Sequence, residues 1–168
     1  MALRTIRTLG DEILTKKCKD VKEITPRINE LIDDMFETMY DAEGVGLAAP
    51  QVGVLKRIMI VDIGDDAPIC LINPRIVDTD GEQTGNEGCL SVPGKVGKVT
   101  RPNYVKVLGF DREMKPVEVE GTELKARALI HEIEHLDGHL YTEKVEGALM
   151  DAEEAAAQEE EEMIQSDD

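Results

Sequence analysis

Basic residues, cysteines and long apolar runs are all scarce in this chain of 168 residues, and each scarcity removes a class of function. Nineteen lysines and arginines stand against 36 acids, for a formal charge of −17. So anionic a chain is repelled by phosphate backbones and anionic lipid, which argues against a broad nucleic-acid-binding surface and leaves room only for a local basic patch. Three cysteines, Cys18, Cys70 and Cys89, form an odd and widely spaced set that suits a reducing compartment better than a disulfide framework. Residues 1–10 carry Arg4 and Arg7 but no continuous apolar segment of a signal peptide, and no stretch is long enough to span a bilayer. A cytoplasmic protein without membrane partners is expected. No internal repeat and no dividing linker interrupts the chain.

What is present points to one ordinary domain over residues 1–149, where Leu, Ile and Val are spread evenly and the length suffices for a core. Residues 150–168 form an acidic tail. Between positions 143 and 168 eleven acids face Lys144 alone. Ala155-Ala156-Ala157 and the acids at 159–162 predict a frayed, solvated helix or disorder there.

Thr25-Pro26 reads as an N-cap followed by proline at the first helical position, and Ile28, Leu31, Ile32, Met35, Phe36 and Met39 then recur at helical spacing. After Gly44-Val45-Gly46 the pattern changes to short Val- and Ile-rich runs at 57–62, 69–73, 104–110 and 116–120, which read as strands. Asp111-Arg112-Glu113-Met114-Lys115 resembles a hairpin connection, so at least part of the sheet is expected to be antiparallel. Helical spacing returns at 124–136, with Gly138 placed to end it. Helix, strands, then helix describes an α+β fold with mixed, largely antiparallel sheets around a central helix.

That last helix contains His131-Glu132-Ile133-Glu134-His135, an H-E-x-x-H pattern. Residues four apart share a face about 6 Å apart along the axis, so both imidazoles can reach one ion at about 2.0 Å. Glu132 then lies beside the ion without binding it, where a proton carrier for a metal-activated water belongs. Leu129, Ile133 and Leu136 turn the helix toward the core, and burying two histidines there without partners would be costly.

A catalytic site of this kind usually takes a third protein ligand. His139 would sit about 12 Å from His131 along a continued helix, and its spacing after Gly138 does not match the known third-histidine pattern, so it reads as a surface or packing residue. Cys89, within Glu87-Gly88-Cys89-Leu90-Ser91, is the better candidate. A buried cysteine acting as a small hydrophobe is the competing reading, and it is the one adopted for Cys18 and Cys70.

Three separated motifs, Gly44-Val45-Gly46-Leu47-Ala48-Ala49-Pro50-Gln51, Glu87-Gly88-Cys89-Leu90-Ser91 and His131-Glu132-Ile133-Glu134-His135, resemble peptide deformylase of the bacterial type in kind and in order. The likeness covers roughly residues 3–147. It implies an enzyme that hydrolyses the formyl group from N-formylmethionine at the start of a new polypeptide and releases formate. It implies Cys89, His131 and His135 as ligands of one divalent metal, Fe(II) in the cell, with zinc, nickel or cobalt in preparations. Glu132 is then the proton carrier, while the side-chain amide of Gln51 and the backbone N–H of Leu90 stabilise the oxyanion. Gly44, Val45, Gly46 and Leu90 are expected to contact the peptide, with a weaker expectation for residues near Arg127.

This chain departs from the usual pattern at Ile130, where Gln normally stands, and at Glu134, where Asp does. Such changes act on the groups that orient ligands, and Glu134 is expected to pair with Arg101. The acidic tail is a third departure. A transient ribosome encounter stays open, but docking through a basic C-terminal helix is unavailable to it. Two other readings share part of the signal: a peptidase of the H-E-x-x-H group, which leaves Cys89 and Gln51 unexplained, and a structural metal site, which leaves Glu132 without a use.

Overall fold

The computed structural model describes residues 2–166; Met1, and Asp167 and Asp168 at the end of the acidic tail, lie outside the described residues. Helix α1 (Pro26–Asp41) begins as its sequence predicts, with the Thr25 hydroxyl accepting the Ile28 N–H at 3.2 Å and Pro26 in the first turn. It buries Ile28, Leu31, Ile32, Met35 and Met39 along one stripe. Asp34 and Thr38 on the same helix are also buried and tie down the N-terminal segment: Asp34 accepts from the Ala2 N–H and Arg4 Nε, and Thr38 Oγ1 from the Arg4 N–H.

Strands β1 (Gly46–Ala48), β2 (Ile58–Val61), β3 (Ile69–Asp80), β6 (Tyr104–Phe110) and β7 (Pro116–Thr122) form a five-stranded antiparallel sheet in the order β1-β2-β3-β6-β7. The alternation of strand side chains decides what each face meets. Ile58 and Ile60 pack toward the α1 residues, whereas Met59 and Val61 pack toward helix α2 (Glu123–Leu136). Covered on both faces, β2 is apolar at every position. The hairpin between β6 and β7 closes at Asp111, whose carboxylate accepts the N–H groups of Glu113 and Lys115.

A second sheet, β4 (Gln83–Cys89), β5 (Val92–Arg101) and β8 (Glu146–Asp151), runs antiparallel in the order β4-β5-β8. These strands differ from the sequence expectation, which placed none of them. Their residues carry glycine, lysine and acids in place of apolar alternation, because few of their side chains are buried, at irregular intervals, and the pairing rests on the backbone ladder. For the same reason β3 runs on to Asp80, beyond the apolar run that ends at Asn73: its second half is exposed but paired with β6.

Helix α2 lies between the sheets with ten of its fourteen residues buried. Gly138, φ +84°, follows its end, and a Cβ there would stand 2.6 Å from the Thr15 carbonyl oxygen, so only glycine fits. Beyond it the short turn Tyr141–Lys144 returns the chain to β8, and helix α3 (Ala152–Ser166) carries most of the acidic tail. The tail is thus helical through residue 166, with Ala155 buried and Asn86 Nδ2 donating to Glu159 Oε1 at 2.9 Å. No helix among the described residues is long and apolar enough to cross a membrane.

Candidate metal centre

The α+β layout brings one end of β4 against the middle of α2. Register shifts between Gly88 and Cys89, opposite Val96 and Val92, and this irregularity carries the Cys89 side chain toward the helix. Cys89 Sγ lies 3.2 Å from His135 Nε2, and the donor atoms of Cys89, His131 and His135 all fall within 4.8 Å of one another. His131 and His135, one turn apart, present their rings edge to face with centroids 4.9 Å apart. His139 is exposed and pairs with Glu143 at 3.0 Å, away from this group, as its spacing suggested.

Behind His131 stands a buried ionic network. Glu87 Oε2 is 2.7 Å from His131 Nδ1. Both Glu87 oxygens are also gripped by Arg101, at 2.7 and 2.6 Å, and Oε1 by Arg127 at 2.9 Å. Burial pushes the Glu87 carboxyl upward, but the hydrogen bonds from Arg101 and His131 outweigh it and hold the group well below the usual carboxylate range. An ionised carboxylate only accepts, so Nδ1 of His131 carries the proton and Nε2 is left facing Cys89 and His135. The expected pair between Arg101 and Glu134 is present, and it belongs to this same network.

Glu132 is 2 % exposed; its Oε1 lies 3.8 Å from His131 Nε2, and its Oε2 is buried with no protein partner. Burial raises its carboxyl to about 7 against the pull of His131. Gln51, fully covered, is held on three sides. Its Oε1 accepts the Ala48 N–H at 2.9 Å, and its Nε2 donates to Ser91 Oγ at 3.0 Å and faces Cys89 Sγ at 3.5 Å.

A cavity of about 580 Å³ opens over these groups, and Val45, Gly46, Cys89, Leu90, His131 and Glu132 are among its walls. Gly44 also lines it, while Gln51 and His135 lie behind the wall. The two glycines have concrete reasons to lack a Cβ: one at Gly44 would meet Leu90 Cδ1 at 2.6 Å, and one at Gly46 would meet Glu132 Oε2 at 2.9 Å. Arg127 reaches the cavity too, but its guanidinium is committed to Glu87 and to the Val99 carbonyl at 3.1 Å.

The donor set fits a divalent ion. Burial holds His135 well below its ordinary value, so it offers a lone pair, while at His131 the neighbouring Glu132, Cys89 and Glu87 outweigh burial and raise the ring, which favours a cation at Nε2, whether a proton or a metal ion in its place. Sulfur and imidazole nitrogen at this spacing match a borderline-soft cation. Three residues of the site were not singled out by spacing. Glu87 and Ser91 lie inside the same motif as Cys89, so their position was the available signal. Tyr141, whose ring is 5.8 Å from that of His131, carried none.

An α+β fold whose central helix sets two histidines and a buried carboxylate against a cysteine defines the class, a metal-dependent hydrolase. The polypeptide deformylase family model matches residues 3–149. The chain is 65 % identical over 151 residues to the peptide deformylase of Agathobacter rectalis, covering 90 % of this chain and 95 % of that one. It is 66 % identical over 149 residues to that of Lachnoclostridium phytofermentans, covering 88 % and 91 %. The crystal structure of a peptide deformylase from Legionella pneumophila superposes with a TM-score of 0.84 at 46 % identity, over 86 % of this chain and 87 % of that one. The chain belongs to the polypeptide deformylase family, hydrolases that remove the formyl group from the amino terminus of newly made polypeptides.

Proposed function

We propose that Cys89, His131 and His135 hold one divalent ion, Fe(II) in the cell, and that the residues around it deformylate N-formylmethionine in the cytoplasm. The observation that carries this reading is the convergence of the three donor atoms within 4.8 Å beside a buried Glu132 oxygen that has no protein partner. An ion bound there supplies Lewis acidity and makes hydroxide available near neutral pH, which an amide requires. Zinc, nickel or cobalt can take its place in preparations.

The chain's own residues do the rest. Glu132 accepts a proton from the attacking water and delivers it to the departing amine, so that formate and a free amino terminus result. The Gln51 amide, immobilised by Ala48 and Ser91, and the Leu90 backbone N–H hold the negative charge that develops on the formyl oxygen. Gly44, Val45 and Gly46 receive the peptide backbone along the cavity wall, where side chains on either glycine would intrude. Residues 1–149 act as one catalytic domain and residues 150–168 as an appended acidic segment. With its excess of acids that segment cannot attract ribosomal RNA, so any ribosome encounter is transient and the chain has no broad nucleic-acid surface.

Anaerobic metal analysis joined to formate release tests the assignment. Cys89→Ala should lose the ion, whereas Glu132→Ala should keep the ion and lose turnover. Cleavage of an unblocked peptide in preference to its formyl-Met counterpart would overturn the proposed chemistry.

A further inference from the structure

Arg101 joins two carboxylates, and only one of them touches a proposed ligand. Its guanidinium is 1 % exposed; two of its nitrogens hold Glu87 and the third meets Glu134 Oε1. Arg127 places a second guanidinium on Glu87. Two buried cations therefore share one carboxylate, and the charge is balanced only because Glu134 supplies the second. The other Glu134 oxygen faces outward to Lys144, which is half exposed.

We infer that Glu134 is a positioning residue for the metal centre: by balancing the second guanidinium it keeps Arg101 clamped on Glu87, and so keeps Glu87 on His131, without a stray positive charge behind the ion. The inference rests on the reading of Cys89, His131 and His135 as ligands. An unbalanced guanidinium in this buried setting would repel a divalent cation, and without its third anchor on Glu134 it would be free to swing away from the Glu87 oxygens that orient His131. Lys144, being solvated, contributes little to the balance. Aspartate, one methylene shorter, keeps the charge and gives up reach toward Lys144.

The test is anaerobic Co(II) titration of the full chain, with affinity read by chelator competition and ligand geometry by the visible spectrum. Melting of the metal-free proteins is measured in parallel. Glu134→Gln should weaken Co(II) binding about 10 to 100-fold and alter the spectrum. Glu134→Asp should bind like the wild type, and Lys144→Met should stay within about threefold of it. Pairing Glu134→Gln with Arg127→Met removes one charge of each sign and should recover most of the lost affinity. If Glu134→Gln does not fold alone, this paired variant decides: near wild-type binding supports charge balance and loss of binding overturns it. Wild-type affinity and spectrum in Glu134→Gln, or a lowered melting point with unchanged Co(II) binding, would also overturn it. Cys89→Ala separates the two readings, because equal Co(II) binding by wild type and Cys89→Ala would remove the ligand assignment itself.

Discussion

Glu87 Oε2 lies 2.7 Å from His131 Nδ1, so the carboxylate that Arg101 holds from behind also decides which imidazole nitrogen faces the cysteine. The hydrogen bond does two jobs at once: it selects the tautomer and it fixes the ring plane.

Replacing Glu87 by Gln should therefore damage both stability and ion binding. Arg101 and Arg127 would be left buried without their shared counter-charge, at a cost of about 3–5 kcal/mol, and the ion should bind about 10 to 100-fold more weakly. Urea unfolding of the metal-free protein measures the first effect and metal competition the second.

Gly46→Ala and Gly44→Ala should fail in different ways. The Cβ at position 46 would stand 2.9 Å from a Glu132 oxygen and 3.0 Å from its Cδ and Cγ, which displaces the proton carrier, so turnover should fall about 100-fold while metal content stays unchanged. At position 44 the Cβ meets the flexible end of Leu90, so the main expected change is a raised KM for the peptide. Steady-state kinetics with metal analysis distinguishes the two.

The three thiols should react unequally with an alkylating reagent at pH 7.5. Burial pushes the Cys18 thiol up to about 11 and that of Cys70 up to about 12, so both should stay unmodified until the protein unfolds. Cys89 lines the cavity and should become reactive once a chelator has removed the ion. Peptide mass mapping after brief labelling reads this directly. Fast modification of Cys18 in the folded protein would contradict it.

Acid should release the N-terminal segment through Asp34. The Ala2 N–H, with help from Arg4, holds this carboxyl below its ordinary value. A carboxyl lowered in the folded state adds stability above its unfolded value of about 3.9 and loses it as the pH falls through the folded value. The protection of the Ala2 and Arg4 amides, taken relative to their intrinsic exchange at each pH, should thus fall below about pH 4, and Asp34→Asn should show the lower protection already at neutral pH.

Which parts of this arrangement were legible in the chain follows from how local their causes are. Helix α1 was readable because Thr25, Pro26 and the apolar stripe act within a few residues of each other. The hairpin at Asp111 was readable for the same reason. Strands β4, β5 and β8 were not, because Gly85, Gly97 and Gly147 and the charged side chains between them have no alternation. They become strands only through ladders to distant partners, as far apart as Lys95 and Asp151. The tail shows a similar limit: its helix was one of two expectations, and the contacts of Ala155 and Glu159 with the body had no local signal.

By itself the sequence supplied the candidates for the centre: two histidines one helical turn apart and the carboxylate between them by residue type and spacing, and the cysteine of the Glu-Gly-Cys motif by resemblance to the family. Only the tertiary structure decided how these groups are supported. Arg101 ends one strand, Arg127 and Glu134 sit on the central helix, and Glu87 lies on a strand beside them, so their mutual neutralisation depends on two sheets closing over one helix. Charge balance in a buried space is set by which side chains share that space: the pair of Arg101 with Glu134 was expected from the sequence, but the places of Glu87 and Arg127 in the same network had no local signal.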